Sequence, residues 1–230
     1  MSLATWWRQD PLPLLPFLAS FEARVATDPA EIALVNRLSV AEVQARWDGG
    51  HRAYLGYWDG RPVTYGWLAT RRAAIGELDL AFAIPPEDGY LWDFATLPDW
   101  QGRGLYPRLL QAMVADVSNG VRRLWIIHAP ENLPSGAGMH RAGFEPVGQL
   151  SFRAEGGVGL APFGPNVRAQ AGADLLEVPL IDTVLAPCWT CGGAAPTPSS
   201  EVAFENCWPP ILPTARQCDC ASPVRPSPQR

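Results

Sequence analysis

Hydrophobic residues repeat along the chain with two different periods, and the change of period separates predicted strands from predicted helices. A period of two is typical of a strand with one buried face. Between two such runs, Asp59-Gly60 has the residues typical of a type I′ hairpin turn. The strands predicted in this way cover residues 21–27, 53–57, 63–69, 78–84, 90–97, 124–128 and 147–152.

Helical patterns occur in three parts of the chain. Asp28-Pro29 combines an N-cap residue with a proline at the first helical position, so short helices are predicted from there to Gly49-Gly50. An apolar stripe predicts a helix over residues 105–118, and a short helix is predicted over 135–141, ended by Gly143. Because the hairpin requires antiparallel neighbours, the predicted fold class is α/β of the α+β type, with a mixed, mostly antiparallel central sheet flanked by helices.

Composition changes near residue 155 and divides the chain into a main domain and smaller segments. The first residues are apolar and interrupted by prolines, which predicts an extension packed on the main domain. The last seventy residues contain half of the 24 prolines and all five cysteines. The predicted division is an N-terminal extension (1–19), a main domain (20–155), a linker or packing segment (156–185), a small cysteine- and proline-rich module (186–221) and a disordered tail (222–230).

Charge and hydropathy exclude several classes of function. The formal net charge is −5, whereas non-specific nucleic-acid binding needs a basic surface. All 18 basic residues are arginines, so no lysine can form a Schiff base. The most apolar early run, residues 12–21, contains two prolines and is far shorter than the ~20 residues of a membrane span, so no signal peptide or membrane segment is predicted. We expect a cytoplasmic protein whose thiols stay reduced.

A candidate anion site lies where the strand over 90–97 leads into the helix over 105–118. The turn between them is Gln101-Gly102-Arg103-Gly104. A helix N-terminus presents unpaired amides and the positive end of the helix dipole, and glycines let a phosphate approach the backbone closely. The alternative is a tight turn with no ligand. Neither a dinucleotide-binding fingerprint nor a P-loop is present.

Two runs of residues resemble one known family. The run Leu97-Pro98-Asp99-Trp100-Gln101-Gly102-Arg103-Gly104-Leu105 resembles the acetyl-CoA motif Arg/Gln-x-x-Gly-x-Gly/Ala of the GNAT (GCN5-related N-acetyltransferase) superfamily. Asn132, followed by Arg141-Ala142-Gly143-Phe144-Glu145, resembles that family's closing Asn … Gly-Phe segment. The resemblance covers residues 20–155. It implies the GNAT-like acyl-CoA N-acyltransferase fold and direct attack of a neutral amine on acetyl-CoA, with no acyl-enzyme.

The resemblance also implies which residues contact the coenzyme. The turn and the first helical residue would present amides to the pyrophosphate, and the pantetheine arm would lie in a splay between the strands over 90–97 and 124–128. Asn132 would lie near the thiol. The cofactor-binding residues implied in this way are Phe94, Ala95, Leu97, Gln101, Gly102, Arg103, Gly104, Leu105, Tyr106 and Asn132.

The chain departs from the family pattern at two positions. Tyr106 stands where the motif ends in Gly or Ala, and Met139 stands where the family often has the tyrosine that protonates the leaving thiolate. His140, Tyr106 or water would then supply that proton. The next residue of a helix points ~100° away, which weakens the case for His140.

A general base is needed to take a proton from the ammonium group of the substrate. The candidate catalytic residues are Asp93, Glu77 and His140, with Asp79 on the same predicted strand face as Glu77. A carboxylate at such a position is more often solvated or ion-paired than catalytic. His128, at the end of a strand beside the cleft, is more often a core histidine than a base.

The cysteines form a second candidate site. Cys188, Cys191, Cys218 and Cys220 make two close pairs, with Cys207 between them. Two close pairs separated by a loop are typical of a structural zinc site. Free or redox-active thiols and an iron–sulfur cluster are the alternatives.

The function predicted from the sequence is an N-acetyltransferase that transfers an acetyl group from acetyl-CoA to a primary amine of a small molecule or peptide. The alternative is a GNAT-fold protein with weak or no catalysis that binds CoA or another metabolite, or that interacts with a partner through a metal-binding tail. The expected partners are acetyl-CoA and an amine, and a homodimer is left open.

Overall fold

The computed structural model describes residues 1–153, 156–164 and 167–182, which form ten strands and five helices. The helices are α1 (Pro29–Asn36), α2 (Val40–Asp48), α3 (Leu105–Val117), α4 (Leu133–Ala142) and α5 (Val167–Leu176). The strands are β1 (Ser2–Trp7), β2 (Phe21–Val25), β3 (His51–Trp58), β4 (Arg61–Ala69), β5 (Arg72–Ile75), β6 (Leu80–Ala83), β7 (Asp88–Thr96), β8 (Arg123–His128), β9 (Glu145–Phe152) and β10 (Val158–Pro162). None of the described helices has the length and apolarity needed to cross a membrane.

Eight strands form one sheet in the order β10-β9-β1-β8-β7-β4-β3-β2. All neighbours are antiparallel except β7 and β8, which are parallel. The remaining strands, β5 and β6, pair only with each other. The prediction of a mixed, mostly antiparallel sheet flanked by helices is confirmed.

The two faces of the sheet carry different helices. Leu91 packs with buried residues of α3 and α4, whereas its neighbours Tyr90 and Trp92 pack on the opposite face. That second face is covered by α1 and α2 near β3 and β4, and by α5 and the β5–β6 hairpin near the other edge. The strand β7 is therefore buried from both sides, and each of its faces lines a different part of the molecule.

Local turn signals place several boundaries where the sequence predicted them. Asp28 accepts a hydrogen bond from the Ala30 amide and begins α1. Asp59 and Gly60 both have positive φ, 46° and 78°, as a type I′ turn requires. Gly143 ends α4 in the left-handed conformation with φ 97°. These features depend on neighbouring residues alone, which explains why the sequence reveals them.

The first residues of the chain are part of the sheet, not an extension packed on its outside. β1 lies between β8 and β9. Leu3 and Trp6 are buried on opposite faces, and the Thr5 hydroxyl donates a hydrogen bond to the Leu124 carbonyl at 2.8 Å. A strand covered on both faces shows no alternation of apolar and polar residues, so the pattern that predicts half-buried strands misses it.

The described residues beyond 155 also belong to the main domain. β10 pairs with β9 and extends the sheet, and α5 packs on the same end. Leu160 and Leu176 are fully buried. The predicted boundary at residue 155 is therefore replaced by a turn through Gly156 and Gly157, both with positive φ.

The strand predicted over residues 78–84 is interrupted. Gly76–Leu78 forms a 3-10 turn, Asp79 adopts the left-handed conformation with φ 49°, and only the residues after it continue as β6. The alternation arose because Leu78, Phe82 and Ile84 are all buried against the second face of the main sheet.

Candidate functional site

The strands β7 and β8 separate partway along their length. They pair in parallel from Asp88 with Arg123 as far as Leu91 with Ile126. β7 continues to Thr96 and β8 to His128, but they no longer pair with each other. The gap between these two ends leaves the β8-facing edge of β7 open to a ligand.

A bulge in β7 accompanies the separation. On its other side, Tyr65 of β4 lies opposite Ala95, and Trp67 lies opposite Trp92, so β7 has one extra residue between these pairs. Asp93, in the extra stretch, has φ 48°. A bulge bends its strand and increases the local twist, which directs the end of β7 away from β8.

The turn after β7 leaves the first amides of α3 open. Gly102 and Gly104 have φ of 74° and 69°, and Gly104 is the N-cap residue of α3. No side chain within the described part of the chain caps this helix. A Cβ placed on Gly102 would meet no atom within 4 Å. The backbone at this turn is accessible, and anion binding there stays a prediction.

A cleft of about 560 Å³ extends from this turn between α3 and α4. Eight of the ten predicted coenzyme-binding residues line it: Phe94, Ala95, Gln101, Gly102, Gly104, Leu105, Tyr106 and Asn132. Leu97 packs instead on the opposite face of the sheet, and Arg103 stacks on Trp100 with its guanidinium carbon 4.6 Å from the ring centroid. Neither of these two residues lines the cleft.

Two further arginines lie close to the turn. The Arg108 guanidinium donates hydrogen bonds to the carbonyl oxygens of Gly104, at 2.6 Å, and Pro16. A Cβ on Gly104 would lie 3.7 Å from Nη2 of Arg141. Burial and then the Arg141 charge lower the pKa of Arg108. Neither arginine forms an ion pair with a carboxylate in the described part of the chain.

Tyr106 reaches from α3 across the cleft to α4. Its ring packs edge-on against Phe94, with centroids 5.4 Å apart, and lies against Gly138, where a Cβ would be 2.4 Å from the ring. The Ser135 hydroxyl donates a hydrogen bond to the Tyr106 hydroxyl at 3.4 Å. Burial raises the pKa of Tyr106, and the Ser135 hydrogen bond opposes part of that rise.

Asn132 lines the cleft but also begins α4. Its Oδ1 accepts a hydrogen bond from the Ser135 amide at 3.1 Å, which is the N-cap interaction of the helix. Its Nδ2 is the part of the side chain that is left for a ligand.

Asp93 lies on the other face of the sheet, beneath α1 and α2. Its carboxylate forms an ion pair with Arg46 at 2.5 Å and accepts a longer hydrogen bond, 3.4 Å, from the Tyr65 hydroxyl. The Arg46 guanidinium lies over the rings of Trp67 and Trp92, 4.8 and 4.5 Å from their centroids. Burial and the Asp93 charge raise the pKa of Tyr65 to about 12.

The three predicted catalytic residues do not meet. Glu77 is exposed in the 3-10 turn before β6, where its charge is felt by the buried Tyr90 hydroxyl. His140 is exposed on α4 and lines a second cavity of about 600 Å³ on the other side of that helix. Asp93 is near the splay but faces away from the cleft. Their catalytic roles stay predictions.

His128 also lines the second cavity. Its ring packs on Gly136, where a Cβ would be 3.0 Å from Cε1, and its Nδ1 donates to the Ala129 carbonyl at 2.8 Å. Burial lowers the pKa of His128. The helix α4 lies between this imidazole and the cleft.

Ser135, Gly138 and Arg141 are among the cleft residues that were not predicted from the sequence to bind the coenzyme. Two glycines inside the predicted helix over 135–141 were the available signal. Glycine destabilises a helix interior, so Gly136 and Gly138 indicate close neighbours, which the structure identifies as the rings of His128 and Tyr106.

The four cysteines predicted to bind zinc, and Cys207, lie outside the described residues. Within residues 1–153, 156–164 and 167–182, no group of three or more His, Cys, Asp and Glu side chains is arranged to bind a metal ion. The zinc site therefore stays a prediction.

Solved structures with a similar fold include three acetyltransferases. A GCN5-related N-acetyltransferase from Kribbella flavida is 19% identical, with 63% of this chain and 53% of that chain covered and a TM-score of 0.43. The ribosomal-protein-S18-alanine N-acetyltransferase from Escherichia coli is 14% identical, with 60% and 88% covered and a TM-score of 0.43. A ribosomal L7/L12 alpha-N-protein acetyltransferase in complex with coenzyme A is 17% identical, with 60% and 87% covered and a TM-score of 0.45. This chain spans about half the length of the Kribbella protein and most of the other two.

The family of the chain follows from its sequence. None of the curated proteins matches it. The model of the "Acetyltransferase (GNAT) family" matches residues 21–144, more than half of the 230 residues. The matched segment contains the bulge of β7, the turn before α3 and the whole of α4. The chain belongs to the acetyltransferase (GNAT) family.

Proposed function

We propose that this protein transfers an acyl group, with acetyl as the first candidate, from CoA to the primary amine of a small molecule or peptide. One observation carries the proposal: an uncapped helix N-terminus opens onto two strands that have separated. A helix N-terminus is suited to a pyrophosphate, and an open strand edge is suited to an extended amide-containing chain. CoA has both parts, in that order.

The pyrophosphate would lie against the Gly102–Gly104 backbone. The amides of the first turn of α3 are uncapped there, and the positive end of the helix dipole points at the same place. Arg108 and Arg141 add positive charge without carboxylate partners among the described residues. This combination favours a ligand with at least two negative charges.

The pantetheine arm would lie along β7 beyond Leu91. The backbone groups of that edge pair with no strand of the described chain, because β8 has left it. Amide groups of pantetheine can pair with them as an added strand would. Phe94 and Ala95 line the adjoining cleft, so the thioester would lie near the bulge.

The acceptor amine would attack the thioester carbonyl directly. Asp93 is the candidate base nearest to the point where β7 and β8 separate, and it faces α1 and α2. An amine approaching through that face would reach the thioester from the side opposite the CoA cleft. Asp93 would accept its proton only by weakening the ion pair with Arg46.

The experiment that tests this function has two parts. A thermal-shift screen with acetyl-CoA, longer acyl-CoAs and CoA should raise the apparent melting temperature, because a ligand that binds only the folded state stabilises it. Release of the CoA thiol is then measured with a panel of amines. Binding without release for any amine would identify a CoA-binding protein, and no binding of any CoA compound would overturn the proposal.

A further inference from the structure

We propose that Tyr106 is the residue that protonates the sulfur of CoA when the thioester breaks, with Ser135 positioning its hydroxyl. This inference rests on the proposed function, since it requires CoA in the cleft. It assigns the protonation of sulfur to a side chain of α3, because the side chain at residue 139 of α4 is a methionine.

Residue 139 cannot supply the proton, but a hydroxyl from α3 reaches α4 one turn earlier. Met139 is buried, with 3% of its surface exposed, lines the second cavity and has no acidic proton. Ser135 precedes it by four residues, one helical turn, and lines the CoA cleft. A long side chain at 139 would point toward the helix N-terminus, which is toward Ser135. The Tyr106 hydroxyl lies 3.4 Å from the Ser135 hydroxyl and thus occupies this region from the opposite wall of the cleft.

The packing of Tyr106 holds its hydroxyl in this direction. The ring is wedged between Phe94 and Gly138, and a side chain at 138 would overlap it. The glycine that weakens α4 therefore makes the space that Tyr106 occupies. The hydrogen bond with Ser135 then fixes the position of the hydroxyl at the wall of the cleft.

The direction of the hydrogen bond suits proton donation. Ser135 donates to the Tyr106 oxygen, so the phenolic proton is left for a ligand. The same serine proton would stabilise the phenolate after transfer, consistent with its lowering effect on the pKa of Tyr106. Arg108 and Arg141 lie beside Gly104 at the turn, whereas His128 and His140 line the cavity beyond α4.

The amine nitrogen forms a bond to the thioester carbonyl carbon, and the carbonyl re-forms as the carbon–sulfur bond breaks and its electron pair moves to sulfur. The Tyr106 proton moves to that sulfur and gives free CoA thiol. The proton lost by the amine nitrogen leaves through the base or water, and the phenolate regains a proton from solvent. No oxidant or reductant is involved.

The first test needs no acceptor. Carbon NMR of CoA labelled at the carbon bonded to sulfur follows the ionisation of the bound thiol with pH. A hydrogen bond from a hydroxyl group stabilises a thiolate. Tyr106→Phe should therefore raise the pKa of the bound CoA thiol by about one to two pH units relative to wild type. Phenylalanine keeps the ring between Phe94 and Gly138, so a purely packing role predicts no change.

Tyr57→Phe is the matched control, because Tyr57 donates its hydroxyl to Glu31 far from the cleft. It should leave the pKa of bound CoA at the wild-type value. The same pKa in wild type and Tyr106→Phe, with CoA bound to both, would overturn the assignment of Tyr106 and leave the proposed function intact. Failure of wild type to bind CoA would instead overturn the proposed function.

The second test is kinetic, with acetyl-CoA and the best amine of the panel, or water if no amine reacts. Tyr106→Phe should lower kcat by about 100-fold, the lower end of the range for general acid catalysis, with KM for acetyl-CoA changed less than about threefold. Ser135→Ala should lower kcat less, because the phenol remains. A Tyr106→Phe variant with more than about a third of wild-type kcat would contradict the proposal.

Discussion

The two faces of β7 near its bulge differ in whether their charged and polar groups have partners within the protein. On the face of α3 and α4, the first amides of α3 are uncapped and Arg141 has no carboxylate partner in the described chain. On the face of α1 and α2, Asp93 is paired with Arg46. There the Asn36 side chain also accepts a hydrogen bond from the Trp67 indole at 2.7 Å.

The difference shows which group of polar residues stabilises the fold and which is available to a ligand. Buried polar groups usually find partners, and groups of one charge beside a cleft are available to a ligand of the opposite charge. Asp93 is one of the catalytic candidates from the sequence, yet its partners tie it to α1 and α2. We therefore expect the unpaired face to bind the ligand and the paired face to stabilise the bulge.

Gly104→Glu should have the largest effect on ligand binding. A Cβ at residue 104 would lie 2.8 Å from Nη1 of Arg108. The new carboxylate would therefore lie beside Arg108 and occupy the anion site. Loss of two or more charge-assisted hydrogen bonds predicts a fall in CoA affinity of more than ~100-fold. Isothermal titration calorimetry with CoA measures it.

Gly60→Glu provides the control for backbone strain. Gly60 has φ 78°, close to that of Gly104, and a Cβ there meets nothing within 4 Å. Both variants should lose similar stability, because both force a side chain into the left-handed region. Undiminished CoA binding by Gly104→Glu would place the coenzyme elsewhere.

Arg46→Met should lower the stability of the protein and leave its CoA affinity nearly unchanged. The ion pair with Asp93 is about three-quarters buried, with 23% and 26% of the two side chains exposed. Its loss should lower the free energy of unfolding by roughly 1–3 kcal/mol, between the values for exposed and fully buried pairs. Urea unfolding measures this, and CoA affinity should change less than about threefold.

Arg46→Met with Asp93→Asn completes a double-mutant cycle, which should recover part of the stability because no unpaired carboxylate remains. If Arg46→Met weakened CoA binding as strongly as Gly104→Glu, the division between a paired structural face and an unpaired binding face would be wrong.

Arg141→Gln should weaken CoA binding by a smaller factor, about three- to tenfold. The side chain is exposed, so solvent screens its interaction with the pyrophosphate. The affinity of the variant should also depend less on salt than that of wild type. Calorimetry at low and high salt tests both statements, with Arg61→Gln, an exposed arginine at the β3–β4 turn, as the control. Equal loss in both variants would indicate a general charge effect.

The structural features of the two faces differ in how far the sequence predicts them. α3 begins at Leu105 as predicted, because the two glycines before it and its apolar stripe are local signals. The pairing of Arg46 with Asp93 joins residues 47 positions apart and needs the bulge of β7, which no local pattern predicts. β1 was missed for a related reason, since its partners in β8 and β9 lie more than a hundred residues away and bury both of its faces.

The smallest expected effect concerns two half-buried histidines, one on each face. His51 contacts Trp92 edge-on at 5.1 Å beneath α2, and His128 packs on Gly136 of α4. Burial lowers the pKa of both. A histidine whose pKa is lower in the folded state binds its proton more readily when unfolded, so the protein loses stability as pH falls below about 6.5.

His128→Gln keeps a donor for the Ala129 carbonyl and removes the titration. Between about pH 7.5 and about pH 5.5, wild type should therefore lose more stability in urea unfolding than this variant. His51→Gln should also reduce the loss, because desolvation acts on a half-buried imidazole whether or not the charges around it are paired. If only one of the two variants reduced the loss, the environments of the two faces would differ in more than their ion pairs.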